Sequence, residues 1–88
     1  MQFKARVRVT LKESILDPQG SAVKRALHGM SHDNVLDVRI GKHIELTLTA
    51  DGPESARRQV QEIAEKLLAN PVIERFSFEL SEAGGEER

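Results

Sequence analysis

The sequence contains no cysteine, no tryptophan and no tyrosine. The absence of cysteine excludes disulfides, thiolate metal sites and cysteine nucleophiles. The aromatic residues are Phe3, Phe76 and Phe78, too few for the base-stacking sheets that recognise RNA. No apolar run approaches the roughly 18 residues that a membrane-spanning helix needs, and the polar start of the chain is not a signal peptide. We therefore expect a soluble, cytoplasmic protein that binds neither nucleic acid nor membrane.

The chain also lacks an excess of either charge. It has 13 Lys and Arg against 14 Asp and Glu, a net charge of −1, so no electrostatic bias draws it to a polyanion. Its 88 residues predict a single domain, and a domain of this size buries a small core and is only modestly stable alone. Other proteins, including a second copy of the chain, are the expected partners.

Hydrophobic periodicity divides the chain into six elements. Four segments alternate apolar with polar residues, which is typical of half-buried strands, and two repeat apolar residues every three or four positions, which is typical of amphipathic helices. The predicted strands are Phe3–Leu11, Val35–Ile40, Ile44–Thr49 and Val72–Leu80, and the predicted helices are Pro18–Met30 and Pro53–Ala69. Gly41-Lys42-His43 is predicted as a hairpin loop, because a three-residue connection keeps the apolar residues of both strands on one face.

The order β-α-β-β-α-β predicts an α+β fold of the ferredoxin-like kind. Right-handed crossovers place both helices on one face of a four-stranded antiparallel sheet, in the spatial order 4-1-3-2. Residues 1–80 then form one domain, and the Gly- and Glu-rich Ser81–Arg88 forms a flexible acidic tail. The other sheet face mixes Arg6 and Arg8 with glutamates, which fits either a solvated surface or a subunit interface. Val35–Ile40, at a sheet edge, could pair with its copy in a dimer.

No residue pattern provides a complete active site. His28 and His32 have metal-ligand spacing, but Gly29 interrupts the helix between them and no third ligand is well placed. Gly41-Lys42 could contact a phosphate, yet the chain lacks a P-loop, and no Ser-His-Asp arrangement is identifiable. The residues alone therefore predict a small binding or assembly domain that binds no metal or cofactor itself.

The connection Lys12–Gly20 contains more than a turn requires. Asp17 can accept from free amide groups as a helix N-cap, and Pro18 suits the first helical position. Two apolar residues precede Asp17, although a surface loop could be polar. Gly20 costs about 1 kcal/mol of helix stability relative to alanine. Because such a residue usually has a packing or contact reason, we expect this loop to be shaped for an interaction.

Three segments carry a combination of residues that is specific only as a set. They are Leu11–Gly20, Val38–Lys42 and Lys66–Glu74, with the sequences LKESILDPQG, VRIGK and KLLANPVIE. In order and spacing they closely resemble the PurS family, the small subunit of phosphoribosylformylglycinamidine synthase. The resemblance extends over nearly the whole chain, up to about Leu80.

The resemblance implies a non-catalytic assembly subunit of a glutamine-dependent ligase complex in purine (IMP) biosynthesis. Such a subunit bridges a PurQ-type glutaminase, which releases ammonia from glutamine, and a PurL-type synthetase. The synthetase uses ATP and magnesium to convert formylglycinamide ribonucleotide into formylglycinamidine ribonucleotide. The small subunit assists ammonia transfer, binds no cofactor itself and forms a homodimer, with pairing of two dimers left open.

The family offers no catalytic residue to transfer to this chain, so the candidate site consists of partner contacts on loops and strand ends. These candidates are Lys12, Ser14, Asp17, Gly20, Arg39, Gly41 and Lys42. For Asp17 a plain helix cap, and for Gly41 a plain turn, are the simpler interpretations. The alternative function is an ACT-like dimer module, which shares the predicted element order and would bind a small molecule near the first loop and helix.

Overall fold

The central strand of the protein is β1, Gln2–Leu11, which has another strand on each side. The computed structural model describes residues 1–83. Its elements follow in the order β1, α1 (Pro18–Gly29), β2 (Gly41–Thr49), α2 (Pro53–Ile63) and β3 (Glu74–Glu82). The strands form an antiparallel sheet in the spatial order β2-β1-β3. Over the described residues the fold is therefore α+β, as predicted, with two helices and three strands.

The alternation predicted for β1 is confirmed. Phe3, Ala5, Val7 and Val9 are at most 2% exposed, because every second side chain of a strand points to the same face. The strands on either side add apolar residues to that face, since Val7 pairs with residues 44 and 78, an isoleucine and a phenylalanine. We call this apolar face the inner face of the sheet.

α2 is the helix that covers the inner face. Val60 of α2 and Ala64, which directly follows α2, are fully buried and form one core cluster with Ala5, Val7 and Val9 of the central strand. Past α2 the chain continues as a π-helical turn over residues 64–68, in which the amide of residue 69 donates to the carbonyl of residue 64. The predicted helix is thus confirmed in place, with a wider winding at its end.

α1 begins where the sequence predicts but does not lie on the sheet. Gly20 is its buried residue. Of the residues predicted as its core stripe, Leu27 is half-buried, and the others are exposed: Ala22, Val23, Ala26 and Met30. The expectation that both helices cover one face of the sheet is therefore wrong for α1. The chain is correspondingly open: its radius of gyration is 16.7 Å, against about 12 Å for a compact chain of this length.

The second predicted strand, Val35–Ile40, is not a strand. This 35–40 segment leads directly into β2, and the amide of Ile40 donates to the Asp17 side chain at 2.8 Å rather than to a neighbouring strand. Gly41-Lys42-His43 is the start of β2 and not a hairpin loop, because Gly41 already pairs with Thr10. The predicted four-stranded sheet with the order 4-1-3-2 is thus corrected to three strands over the described residues.

The outer sheet face carries the cross-strand ion pairs that its interleaved charges predict. Lys4 lies 3.5 Å from Glu45 on β2, and Arg8 lies 3.5 Å from Glu79 on β3. A hydrogen bond from His43, together with the charge of Lys4, lowers the pKa of Glu45 from its ordinary value. Lys4 is half-buried and its three counterparts in these pairs are exposed, so each pair contributes little to stability.

The last strand extends beyond its predicted end. β3 continues through Ser81 and Glu82, which were predicted as the first residues of the acidic tail, and the amide of Ala83 donates to the carbonyl of Gln2. The rest of that predicted tail, residues 84–88, lies outside the described residues. Within residues 1–83 no helix is long and apolar enough to cross a membrane.

Candidate functional site

The loop between β1 and α1 and the 35–40 segment lie side by side and hold each other in place. Asp17 joins them, and it is only 5% exposed. Its Oδ1 accepts from the amide of Gly20 at 2.9 Å, which caps α1, and its Oδ2 accepts from the amide of Ile40 at 2.8 Å. The residue interpreted from the sequence as a helix cap is therefore also the bridge to a segment more than 20 positions away.

Arg39 makes the second connection between the two segments. Its guanidinium donates to the carbonyl of Ile15 at 2.9 Å and to the carbonyl of Glu13 at 2.7 Å. Hydrogen bonds from a charged donor are among the stronger ones in proteins. Arg39 thus fixes the backbone of the loop, and its role as a partner contact stays a prediction.

Two glycines of the candidate set permit close backbone approach. A Cβ on Gly20 would overlap the carbonyl oxygen of Val38, and a Cβ on Gly41 would overlap the carbonyl oxygen of Val9 and the methyl group of Thr10. Glycine in a strand often marks such an approach. Gly20, which the sequence identified by its cost to the helix, therefore has a packing reason, and Gly41 serves the start of β2 rather than a turn.

The three remaining candidates are exposed. Two hydrogen bonds hold the backbone of Lys12. Its amide donates to the carbonyl of Ile73 at 2.9 Å, and its carbonyl accepts from the amide of Ile15 at 2.9 Å. Ser14 lies in the turn of the loop, and Lys42 lies on the inner face opposite Val9. Their side chains project from a backbone that is fixed, which is the arrangement expected of contact residues.

Five of the seven candidates line two neighbouring clefts, and Lys12 and Gly20, which line neither, are close in sequence to residues that do. One cleft, of about 350 Å³, lies between the loop residues 13–17 and the segment residues 37–39. The other, of about 330 Å³, lies at the end of the inner face and is lined by Lys42 and Glu74 among others. Asp17 lines both clefts.

The electrostatics of the region are set by Asp17 and its donors. The amide of Gly20, then the amide of Ile40, and with them the nearby Arg39, lower the pKa of Asp17, although burial opposes this shift. A carboxylate that accepts two backbone amides is favoured in its charged form. Asp17 is therefore a structural anion, already paired, and not a free base for chemistry.

Sequence reasoning missed Glu74, Glu13 and Asp37, which line the same clefts. Glu13 lies 3.5 Å from Arg75 of β3, so the loop is also tied to the sheet. Glu74 carried a usable signal: it has the same parity as Phe76 and the other inner-face residues of β3, and a charge at such a position marks an unusual site. No pattern in the sequence indicates the hydrogen bonds that the loop backbone makes.

The histidine pair does not form a metal site in the structure. His28 donates from Nε2 to the carbonyl of Val35 at 2.9 Å, and among the described residues no group of three potential ligands could hold a metal ion. Within residues 1–83 every buried side-chain nitrogen and oxygen has a hydrogen-bond partner. What the region offers is a rigid, charged and partly apolar surface of the kind that binds another protein.

Comparison with known proteins identifies relatives over nearly the full length of the chain. The family model for PurS, phosphoribosylformylglycinamidine (FGAM) synthase, matches residues 4–82. The PurS subunit of Bacillus subtilis is 52% identical over 84 residues, which span 91% of this chain and 94% of that subunit. The PurS subunit of Synechocystis is 45% identical over 83 residues, which span 94% of this chain and 83% of that subunit.

Solved structures show the same relationship. A crystal form of B. subtilis PurS has a TM-score of 0.79 and 53% identity, covering 91% of this chain and 99% of its own. A chain in the structure of PurLQS from Thermotoga maritima has a TM-score of 0.84 and 31% identity, covering 92% of this chain and 99% of its own. The relatives are thus of similar length to this chain and similar in fold.

Proposed function

Because the chain belongs to the PurS family of FGAM synthase, we propose that it is the subunit that holds the synthetase and the glutaminase of this ligase together. It is a subunit of phosphoribosylformylglycinamidine synthase (EC 6.3.5.3) in purine biosynthesis, with PurL and PurQ as its partners. In this role it performs no chemistry itself and assists the passage of ammonia from the glutaminase to the synthetase. The observation that carries the proposal is the family match over residues 4–82.

The geometry of the loop supports a docking role. Asp17, Gly20, Arg39 and Gly41 fix the backbone from inside, and a loop that is already ordered loses less entropy on binding. The exposed candidates Lys12, Ser14 and Lys42 are then the residues that touch a partner subunit. Exposed Leu16, which is 75% accessible, provides an apolar contact within the same loop.

The proposal extends to assembly and location. The chain acts as a homodimer in the cytoplasm, and ATP, magnesium and glutamine bind to the partner subunits rather than to this one. Activating an amide oxygen with ATP and hydrolysing glutamine each require an active site, which we assign to the partner subunits, while the candidate residues of this chain are proposed as contacts to those partners.

Reconstitution tests the proposed function. Purified synthetase and glutaminase are assayed for formation of the amidine from formylglycinamide ribonucleotide, ATP and magnesium, with glutamine as the nitrogen source. We expect turnover only when this chain is added. Ammonium chloride in place of glutamine serves as the control, since it bypasses ammonia transfer and should give turnover without the chain. Equal glutamine-dependent rates with and without the chain would overturn the proposal.

The ACT-like sensor predicted as the alternative has no observation in its favour. Family membership assigns the chain to the synthase, and the cleft beside the first loop is lined by residues that already bond to one another. Calorimetry against amino acids and nucleotides is the direct check. Saturable heat with one of these ligands, in the absence of the partner subunits, would revive the alternative.

A further inference from the structure

The connection between β2 and α2 contains the one place in the sequence where glycine follows an aspartate or an asparagine, Asp51-Gly52. In such a pair the amide nitrogen of the second residue can attack the side-chain carboxyl carbon of the first, because glycine has no side chain to shield its nitrogen. The attack closes a succinimide ring and expels a water molecule. Water then reopens the ring on either side and leaves aspartate or isoaspartate, in which the backbone runs through the side chain.

Both reacting groups of this pair are unbound in the structure. Asp51 is exposed, and within residues 1–83 its carboxylate takes part in no hydrogen bond or ion pair. α2 begins after Gly52 without a side-chain cap, so the carboxylate of Asp51 does not serve the helix either. In the same part of the chain the amide of Gly52 donates no hydrogen bond. Ring closure therefore breaks no contact that the fold needs.

The surroundings of Gly52 leave room for the ring. Nothing lies within 4 Å of a Cβ added at Gly52, so no neighbouring atom blocks the approach of the carboxyl group to the amide. Its φ of −169° and ψ of 179° are those of extended backbone, which any residue adopts. Neither packing nor backbone conformation thus requires glycine here, in contrast to Gly20 and Gly41, where an added Cβ would overlap a carbonyl oxygen.

The other aspartates of the chain lack this combination. Asp17 is buried and precedes a proline, whose nitrogen carries no hydrogen to give up when a ring closes. Asp37 precedes a valine, whose branched side chain crowds the amide. Asp33 is exposed but precedes an asparagine, so its side chain meets a shielded nitrogen. Asp33 is therefore the internal reference for a residue that is accessible but lacks the glycine.

We propose that Asp51 is a site of covalent modification at which the chain converts slowly to isoaspartate, with water as the only co-reactant. One water molecule leaves when the bond from the Gly52 nitrogen to the side-chain carbon forms. One water molecule enters when the bond from that nitrogen to the backbone carbonyl carbon breaks. The product has the mass of the original chain, a longer backbone and a carboxylate attached to the α-carbon. This inference is independent of the proposed function.

The modification acts on α2, which covers the inner face. The connection that carries Asp51 is fixed at both ends: the amide of Ala50 donates to the carbonyl of Met1, and the carbonyl of Gly52 accepts from the amide of Ala56, both at 3.0 Å. Ala56 is fully buried. The extra backbone carbon of isoaspartate has to be absorbed between these two bonds, so the first turn of α2 is displaced from the sheet. The modified chain is therefore less stable than the original.

Ageing of the purified chain at neutral pH tests the proposal. The chain is incubated in water labelled with a heavy oxygen isotope, which enters at each ring opening, and peptide mass spectrometry locates the label. An isoaspartyl carboxyl methyltransferase with radiolabelled S-adenosylmethionine counts the isoaspartyl groups. We expect both labels to accumulate in the peptide that contains Asp51, well ahead of the peptide that contains Asp33. The melting temperature of the aged chain should fall in step with the label.

Gly52→Ala is the matched control, because alanine shields the amide in a place where its Cβ meets nothing. We expect this variant to form isoaspartate several-fold more slowly and, before ageing, to melt near the temperature of the wild type. Asp51→Glu keeps the charge but would have to close a larger ring, so it should also lose the label, and it serves as the second variant if Gly52→Ala disturbs α2. Equal labelling of the wild type and both variants would overturn the site. A labelled chain that melts like fresh protein would overturn its effect on α2, and neither result would change the reconstitution assay.

Discussion

One glycine of α1 is tightly packed and another is open to solvent, so the same substitution at each should have opposite effects on stability. Gly20→Ala adds a Cβ that overlaps the carbonyl of Val38, whereas nothing lies within 4 Å of a Cβ added at Gly29. Overpacking against backbone costs about 1–3 kcal/mol, and replacing an unconstrained helical glycine by alanine gains up to about 1 kcal/mol. We expect Gly20→Ala to lower the melting temperature and Gly29→Ala to raise it.

Urea denaturation of the two variants measures the free energies directly. Gly29→Ala is the matched control, because it has the same chemistry in the same helix without the contact. If both variants gained stability, the close approach between α1 and the 35–40 segment would be contradicted.

Asp17 makes stability depend on pH in a defined direction. Its pKa is lowered in the folded chain by the amides of Gly20 and Ile40, while in the unfolded chain it titrates near its ordinary value of about 4. Its contribution to stability is therefore complete above about pH 4 and is lost as the pH falls through the lower folded value. We expect Asp17→Asn to flatten the loss of stability between neutral pH and pH 3.

Denaturant unfolding across that range is the measurement. Glu45 also has a lowered pKa, through His43 and Lys4, so Glu45→Gln is measured alongside and should remove a separate part of the same pH dependence. A wild-type slope in the Asp17→Asn variant would show that the two amide bonds do not form in solution.

At the scale of the element, the end of α1 is held in a conformation that suits glycine better than the residue present. Ser31 has a φ of 73°, and the amide of His32 closes the helix by donating to the carbonyl of Leu27. A left-handed residue other than glycine costs about 1 kcal/mol, and glycine is the usual choice at this position. We expect Ser31→Gly to stabilise the protein by roughly 0.5–1 kcal/mol.

Ser31→Ala separates backbone freedom from the loss of the hydroxyl group. Alanine has the same left-handed cost as serine, so its stability in thermal or urea unfolding should stay close to that of the wild type. Equal gains from glycine and alanine would contradict the backbone explanation.

The elements also show where sequence reasoning succeeds and where it stops. Period-two and helical patterns located β1, α2 and β3, because those elements bury their apolar sides within the chain itself. The same patterns are present in α1 and in Val35–Ile40, and both were assigned to the chain's own core and sheet. A pattern shows that a segment has an apolar side, but it does not show which molecule covers that side.

In the candidate site, too, sequence reasoning predicts local contacts and misses those between distant positions. The capping role of Asp17 follows from local sequence, since an Asp before Pro at a helix start is a local signal. Its bond to Ile40 and the bonds of Arg39 to the loop carbonyls join positions far apart in sequence. Only the resemblance to a family brought Arg39, Gly41 and Lys42 into the same candidate set as the loop.

At the scale of the whole molecule, the docking function of the loop can be tested separately from the stability of the chain. Lys12 is exposed, and only its backbone makes the bonds that shape the loop. Lys12→Ala should therefore leave the melting temperature nearly unchanged. If the loop docks on a partner subunit, Lys12→Ala should weaken assembly of the complex by about 1 kcal/mol, which is roughly a fivefold rise in Kd.

This effect is measured by titrating the partner subunits into the fluorescently labelled chain and reading the fluorescence anisotropy at each addition. Arg58→Ala, at an exposed position of α2, removes a charge of the same sign away from the loop and should leave the Kd unchanged. A fall in melting temperature that matched the loss of affinity would assign Lys12 to folding instead of docking.

The position of β1 in the middle of the sheet has a consequence for how the protein is made. Phe3 pairs with Leu48 on one side and with Glu82 on the other, so β1, which is synthesised before the other two strands, needs β3, the last of the three, to complete its pairing. At 5–20 residues per second, the apolar side of β1 waits roughly 4 to 15 seconds for β3. During that interval the nascent chain exposes an unpaired strand edge, and we expect it to depend on chaperones to avoid aggregation until β3 has been synthesised.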